Sequence, residues 1–178
     1  VRAVLGQQIT VHAARMLAGK IAAAHGSPLE DEAANALGLT RFFPTPEQLA
    51  LAVVETLAMP RARGRALVGL ARAAEADPDL FGARRSLDEA VAALRALPGI
   101  GEWTAQYIAM RALREPDAFP SADIGLMRAL ETSDGRRPTA AELLAMAERW
   151  RPWRAYAASH LWAADPKSPT EARHADAA

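Results

Sequence analysis

The stretch Leu97-Pro98-Gly99-Ile100-Gly101-Glu102-Trp103-Thr104-Ala105 decides the fold. A segment with helical spacing of apolar residues ends at Leu97, and a second helical segment begins at Gly101. The turn between them contains Gly99 and Gly101, which tolerate positive φ and leave the backbone uncovered. Backbone amides at the start of the second helix have no intrahelical partner, so they can bind one phosphate oxygen.

Two other interpretations of this turn stay open on the pattern alone. Gly99-x-Gly101 is half of a dinucleotide-binding fingerprint, although that motif follows a strand and here a helix precedes it. The turn is equally suited to be a plain connector between two packed helices.

The rest of the chain also has the composition and periodicity of helices, which predicts an all-α fold. Alanine is abundant, β-branched residues are sparse, and no pair of segments has the pattern of a β-hairpin. Capping boxes at Thr45, Ser86 and Thr139 predict three helix starts. We predict helices over residues 4–24, 46–57, 61–76, 87–97, 101–114, 123–130, 140–150 and 152–164.

The domain organisation follows from these helices. Residues 1–168 are assigned to one helical domain, with a helix-turn-helix unit at about 86–114, and residues 169–178 to a flexible tail. Because the sequence at Val1 already has the pattern of the middle of an element, we expect a natural N-terminal portion to precede it.

Composition excludes several classes of site. The chain has no cysteine, which excludes disulfides, cysteine-ligated zinc and an iron–sulfur cluster. No apolar run reaches the roughly 18 residues of a membrane span, and no secretory signal is evident. The formal net charge is zero, but arginines cluster at 61–72 and 149–154. A solvated helix face explains such clusters as well as a binding surface does.

A second motif follows the turn at a fixed distance. Phe119-Pro120-Ser121-Ala122-Asp123 places an acid 22 residues after Gly101. Together with Gly6-Gln7-Gln8-Ile9-Thr10, Phe43-Pro44-Thr45-Pro46 and Arg149–Tyr156, the sequence resembles the helix–hairpin–helix (HhH-GPD) DNA glycosylases of the 3-methyladenine DNA glycosylase II, or AlkA, type over Val1 to about Ala164. The resemblance implies a two-lobed helical fold with the active site in the groove between the lobes.

Asp123 is the residue that the resemblance assigns to catalysis. Taken alone, an acid at a helix start is more often structural, because it stabilises the helix dipole. In a glycosylase, such a carboxylate stabilises the oxocarbenium character of the sugar and orients the attacking water. Bifunctional members of the family carry a lysine just after the hairpin, and the matching position here is Trp103. With Lys20 and Lys167 as the only lysines, we predict a monofunctional enzyme.

The resemblance also predicts the pocket for the damaged base. Trp103 and Tyr107 are four residues apart and share a helix face, although such a pair is more often core packing. In the family, the corresponding positions line the base pocket with the tryptophan that matches Trp162. Electron-rich ring faces favour an alkylated purine, which is often cationic.

Contacts to DNA are predicted at the hairpin and at the turn near the N-terminus. The resemblance assigns phosphate binding to Leu97, Pro98, Gly99, Ile100, Gly101 and Thr104. It assigns DNA binding also to Gln7 and Gln8, because the Gly6-Gln7-Gln8 turn carries the wedge that fills the gap left by a flipped base. Gln8 stands at the wedge position, where leucine is usual; a polar turn residue is the other interpretation of Gln8. Ile124 stands where an aromatic residue is common. Backbone carbonyls of Arg95, Leu97 and Ile100 are a candidate site for Na⁺ or K⁺, and no other cofactor is expected.

These assignments predict base excision repair of alkylated purines of the 3-methyladenine and 7-methylguanine class, by base flipping and hydrolysis to an abasic site. The expected partner is damaged double-stranded DNA, and we expect a monomer in the bacterial cytoplasm, associated with the nucleoid and not with a membrane. Two alternatives remain: a catalytically inactive DNA-damage-binding module, and a ligand-sensing helical regulator whose aromatic residues form a small-molecule pocket.

Overall fold

Helices form nearly all the regular structure of the computed structural model, which describes residues 1–82 and 86–165. The α-helices are α1 Arg2–Leu5, α2 Val11–His25, α3 Glu32–Ala36, α4 Pro46–Ala50, α5 Arg61–Ala76, α6 Leu87–Arg95, α7 Glu102–Ile108, α8 Ile124–Ala129, α9 Ala140–Ala147 and α10 Arg154–Ala164. Short 3₁₀ helices span Val54–Leu57, Pro78–Phe81 and Glu148–Trp150, and a π-helical turn spans Ala109–Leu113. The all-α prediction is confirmed. None of the described helices has the length and apolarity needed to cross a bilayer.

The chain divides into two compact units. Of the described residues, the first unit contains 1–82 and 92–101, and the second contains 86–91 and 102–165. In the first, α5 packs against α4, α1 and the 3₁₀ turn before it, burying Leu49, Leu57 and Leu67. In the second, α8 packs against α10, and Leu126 and Ala158 are fully buried. The hairpin therefore belongs to the first unit, and Asp123 belongs to the second.

The three predicted capping boxes are confirmed. The hydroxyl groups of Thr45 and Thr139 each accept the backbone N–H three residues later. The side chains of Gln48 and Glu142 in turn accept the backbone N–H of the cap residue. At the start of α6, Ser86 N–H donates to Glu89 at 2.9 Å, and Glu89 N–H donates to Ser86 Oγ at 3.3 Å. These local bonds explain why the sequence located these helix starts correctly.

Several predicted helix boundaries are wrong. The single helix over 4–24 is two helices separated by the turn Gly6–Thr10, where Thr10 caps α2 and Gln8 has a left-handed φ of 57°. The helix beginning at Pro46 ends at Ala50, and a 3₁₀ turn follows, not a continuous helix to Leu57. The last helix begins at Arg154, not at Pro152, and α3 was not predicted. The predicted tail 169–178 lies outside the described residues.

Candidate active site and hairpin

The hairpin Leu97–Gly101 depends on glycine at one position. Gly99 has φ 82°, and a Cβ built there would lie 2.6 Å from Cβ of Ala66 in α5. Glycine is therefore required at 99 both by the left-handed backbone and by the close approach of α5. Gly101 has open space and does not use a positive φ. Ile100 N–H donates to Leu97 O at 3.1 Å, which closes the turn.

Asp123 is held by three N–H donors. It caps α8, where Oδ1 accepts the backbone N–H of Leu126 at 3.0 Å. Trp162 Nε1 donates to the same oxygen at 2.9 Å, and Trp103 Nε1 donates to Oδ2 at 2.8 Å. The structural and the functional interpretations of this acid are thus compatible, because one carboxylate both caps a helix and is oriented by two indoles. The indole N–H groups are neutral donors, so they orient the carboxylate without neutralising it.

The predicted pocket aromatics lie together beside this carboxylate. Trp103 and Tyr107 are stacked, with ring centroids 5.2 Å apart and planes inclined by 18°. Tyr107 meets Trp162 edge to face at 5.9 Å. All three side chains are only half-buried. Rings that were simply core packing would be covered on all sides, whereas these leave aromatic surface available next to Asp123.

Arg111 was not predicted as a neighbour of this cluster. Its guanidinium carbon lies 5.8 Å from the Tyr107 ring centroid and 5.5 Å from that of Trp162, within cation–π range. Arg111 belongs to the π-helical turn Ala109–Leu113 that continues α7. The signal was present in the sequence, since residues 103, 107 and 111 recur at intervals of four and share a helix face.

Arg128, a second cation near Asp123, is paired with Asp165. Arg128 Nε donates to Asp165 Oδ1 at 2.7 Å, and the Asp165 side chain is only 7% exposed. The hydrogen bond that Arg128 donates to Asp165 raises the pKa of Arg128, and the negative charges of Asp165 and Asp123 add to that effect. Arg128 therefore remains charged and paired with Asp165.

Two arginines of the basic cluster at 149–154 are paired with acidic side chains. Arg154 donates to both oxygens of Asp117, at 2.7 and 2.9 Å, and its side chain is only 8% exposed. Arg151 bonds Asp117 as well, and its Nε donates to Glu148 at 2.8 Å. Backbone N–H of Ala155 donates to Pro116 O at 2.9 Å. These arginines anchor the loop that leads to Asp123.

The turn Gly6–Thr10 lies against the hairpin within the first unit. Gln7 Nε2 donates to Gly99 O at 3.0 Å, and Arg63 of α5 donates to Gln7 O at 2.6 Å. Gln8 is exposed, with its backbone in the left-handed region. Arg63 was not singled out from the other arginines of α5, because a contact 56 residues away leaves no local pattern.

Sequence and structure comparisons place this arrangement in a known class. No protein-family profile matches the chain. The fold, however, is that of the HhH-GPD DNA glycosylases. A solved structure of the 3-methyladenine DNA-glycosylase from Archaeoglobus fulgidus matches it with a TM-score of 0.78 and 28% identity, over 93% of this chain and 57% of that one.

The sequence is also similar to those of AlkA-type glycosylases. It is 45% identical over 163 residues to the probable bifunctional transcriptional activator/DNA repair enzyme AlkA of Mycobacterium tuberculosis (strain ATCC 25618 / H37Rv). It is 35% identical over 175 residues to DNA-3-methyladenine glycosylase 2 of Escherichia coli (strain K12). The matches cover 91% and 97% of this chain but only 32% and 58% of those relatives. The predicted resemblance is confirmed.

Proposed function

We propose that this chain is a monofunctional DNA glycosylase that hydrolyses the N-glycosidic bond of alkylated purines and leaves an abasic site, as the first step of base excision repair. The observation that carries the proposal is the carboxylate of Asp123, fixed by the indole N–H groups of Trp103 and Trp162 beside half-buried aromatic rings. The names of the glycosylase homologues support the same reaction.

The proposed chemistry uses the charge of Asp123. Cleavage of the bond between sugar and base builds positive charge on the deoxyribose, and an ionised carboxylate nearby stabilises it. The same oxygens can orient or deprotonate water for attack on the sugar carbon. A cationic base such as 3-methyladenine or 7-methylguanine leaves without a strong general acid. Aromatic faces of Trp103, Tyr107 and Trp162 would favour such a base over its uncharged parent.

The absence of a lysine nucleophile determines the proposed outcome. Between residues 86 and 165 the sequence contains no lysine, and Trp103 occupies the position where bifunctional relatives carry one. A Schiff base with the sugar is then not formed, and the strand stays intact. Incubation with alkylated duplex and borohydride should release free bases without a covalent protein–DNA adduct. A trapped adduct would contradict the monofunctional assignment.

DNA is proposed to bind through the hairpin and the turn of the first unit. The proposed DNA contacts at the hairpin are Leu97, Pro98, Gly99, Ile100 and Gly101, with Thr104 in the helix that follows. Backbone N–H groups of this stretch, which Pro98 lacks, would bind one phosphate without a lysine or arginine, as a chain with zero net charge requires. In the turn that contains Gln7 and Gln8, the Gln8 side chain would fill the space left by the flipped nucleotide, whose extrusion costs a few kcal/mol. The enzyme would act as a monomer on nucleoid DNA in the bacterial cytoplasm.

A monovalent cation is proposed at the hairpin and has no role in the chemical step. The carbonyls of Arg95, Leu97 and Ile100 would hold Na⁺ or K⁺. The Leu97 carbonyl accepts one turn hydrogen bond, from Ile100, which leaves a second lone pair for such an ion. Replacing Na⁺ and K⁺ with tetramethylammonium at constant ionic strength should weaken DNA binding and leave helix content unchanged. Equal affinity in both salts would exclude the cation.

Chromatography of the bases released from methylated DNA tests the proposed function. We expect 3-methyladenine and 7-methylguanine from the wild-type protein, and none from Asp123→Asn at equal DNA affinity. A wild-type protein that binds an abasic-analogue duplex but releases no base would be a damage-binding module. A protein with no preference for that duplex would favour the ligand-sensing alternative.

A further inference from the structure

Arg63 is linked by hydrogen bonds to the turn Gly6–Thr10 and, through Gln7, to the hairpin Leu97–Gly101. The proposed function gives the wedge to the turn and phosphate binding to the hairpin. The Arg63 guanidinium donates to the backbone carbonyl of Gln7 at 2.6 Å. The Gln7 side chain in turn donates to the carbonyl of Gly99 at 3.0 Å. The turn that carries Gln8 is thereby fixed on one side to α5 and on the other to the hairpin. All three segments belong to the first compact unit.

The backbone of the turn needs this support. Gln8 has φ 57°, a conformation that residues with a side chain rarely adopt and that persists where the surroundings determine it. A charged donor forms a stronger bond to a carbonyl than a neutral donor does. Arg63 is half-buried, and its guanidinium donates such a charged bond to the turn.

We propose that Arg63 is a positioning residue for base flipping, acting through Gln7 on Gln8. This inference rests on the proposed function, because it assumes that the hairpin binds phosphate and that Gln8 enters the stack. When the hairpin binds a phosphate, the bond between Gln7 and Gly99 sets where the turn lies relative to the strand. Arg63 keeps the peptide between Gln7 and Gln8 in the orientation that presents the Gln8 side chain.

A simple alternative is that Arg63 contacts a DNA phosphate directly. The two roles differ in what the residue must supply. A phosphate contact contributes to affinity for any duplex and to its salt dependence, with about one unit of slope per contact. A positioning residue changes the extrusion of the nucleotide and the rate of base release, with little effect on binding to undamaged DNA.

The test compares Arg63→Met, Arg63→Lys and the control Arg65→Met, which removes an exposed arginine from the same helix. Each protein is mixed with a duplex carrying 2-aminopurine beside an abasic-site analogue, whose fluorescence reports unstacking. Single-turnover base release and the affinity for undamaged duplex are measured in parallel. We expect Arg63→Met to lower the rates of unstacking and base release about tenfold or more, with undamaged-duplex affinity within about twofold of wild type.

Further variants complete the comparison. Arg63→Lys should recover most of the unstacking rate, because an ammonium group can donate to the same carbonyl, and Arg65→Met should match wild type. If Arg63→Met does not fold, Gln7→Leu removes the second bond and should slow unstacking similarly. A loss of affinity for undamaged duplex with a salt slope reduced by about one would overturn the proposal in favour of a phosphate contact. Wild-type unstacking in both Arg63→Met and Gln7→Leu would also overturn it.

The same experiment distinguishes a failure of the Arg63 role from a failure of the proposed glycosylase function. If the wild-type protein neither unstacks the probe nor releases base, the proposed function fails, and the role of Arg63 fails with it. If the wild-type protein does both and Arg63→Met behaves identically, only the positioning role fails.

Discussion

Asp117 and Asp123 lie six residues apart in the segment that leads into α8, and their carboxylates have different hydrogen-bond donors. Asp117 is bound by Arg154 through two hydrogen bonds of 2.7 and 2.9 Å and by Arg151 as well. Asp123 accepts its bonds from two indole N–H groups and one backbone N–H. In the described part of the chain, no arginine or lysine forms an ion pair with Asp123.

The difference gives the two acids different expected roles: Asp117 stabilises the loop, and Asp123 is the candidate for catalysis. When a carboxylate is paired with a guanidinium, the two charges largely cancel, and the pair anchors the loop. A carboxylate held by neutral donors is oriented but keeps its negative charge available. At about 4 Å and an effective dielectric constant of about 20, a full positive charge on the sugar would gain about 4 kcal/mol from it. An arginine partner would cancel most of that gain.

Removing the charge of Asp123 should have the largest effect on activity. In Asp123→Asn the side-chain oxygen can still cap α8, but the negative charge is lost. We expect base release to fall by a factor of about 10² to 10⁴, with DNA affinity and melting temperature near wild type. Single-turnover release of 7-methylguanine measures the rate. Retention of more than a tenth of wild-type activity would mean that another group supplies the charge.

Asp117→Asn is the matched variant, and its effect should be on stability. It removes the closer anionic partner of Arg154, whose side chain is only 8% exposed, and leaves Arg154 with the longer contact to Glu148 at 3.4 Å. Breaking such a pair costs about 3 kcal/mol at this partial burial. Urea denaturation measures the loss, and the folded fraction should release base within about threefold of wild type. If Asp117→Asn loses activity while keeping its stability, the contrast between the two acids is wrong.

Trp103→Phe and Trp162→Phe should have intermediate effects, because each removes one N–H donor and keeps an aromatic ring. A hydrogen bond to a charged group contributes about 1.5–3 kcal/mol, so the rate of release should fall roughly 10- to 100-fold. We expect the larger loss for Trp103→Phe, since Oδ1 keeps its bond from Leu126 when Trp162 is changed. Substrate affinity should change little. The reverse order of the two rates would show that ring contacts with the base outweigh orientation of the carboxylate.

The smallest effect is expected at Arg111, the cation that lies over the pocket rings and not on a carboxylate. Its guanidinium occupies part of the electron-rich surface of Tyr107 and Trp162. An exposed cation–π contact contributes about 0.5–1 kcal/mol, so Arg111→Leu should shift selectivity roughly two- to fivefold toward cationic bases. The ratio of 7-methylguanine to hypoxanthine release measures this shift. An unchanged ratio, with both rates intact, would place the guanidinium outside the base-binding surface.

Features with local causes were predictable from the sequence. The capping boxes at Thr45, Ser86 and Thr139 depend on residues three apart, and the stacking of Trp103 on Tyr107 depends on residues four apart. The separation of the hairpin from Asp123 was informative only through the family resemblance. The role of Trp162 as a partner of the carboxylate, 39 residues away, had no local signal.

Boundaries decided by tertiary contact were mispredicted. The apolar periodicity of residues 4–24 continues through Gly6–Thr10, so the pattern favoured one helix. The observed break instead coincides with bonds from Gln7 to Gly99 and from Arg63 to Gln7, which span 92 and 56 residues. Likewise, the arginines of 149–154 had the composition of a DNA-binding surface, but Arg154 is committed to Asp117. Charge counts could not show this pairing, because it depends on the loop's position beside α10.

The close approach of Gly99 to Ala66 also limits how the sequence can diverge. Because a Cβ at 99 would lie 2.6 Å from that of Ala66, positions 66 and 99 share one small space, and the φ of 82° at 99 restricts that position further. A paired saturation library would recover small residues at 66 and almost only glycine at 99, even though residue 66 is buried in α5 and lies outside every motif. Any redesign of the hairpin must therefore begin with residue 66 of α5.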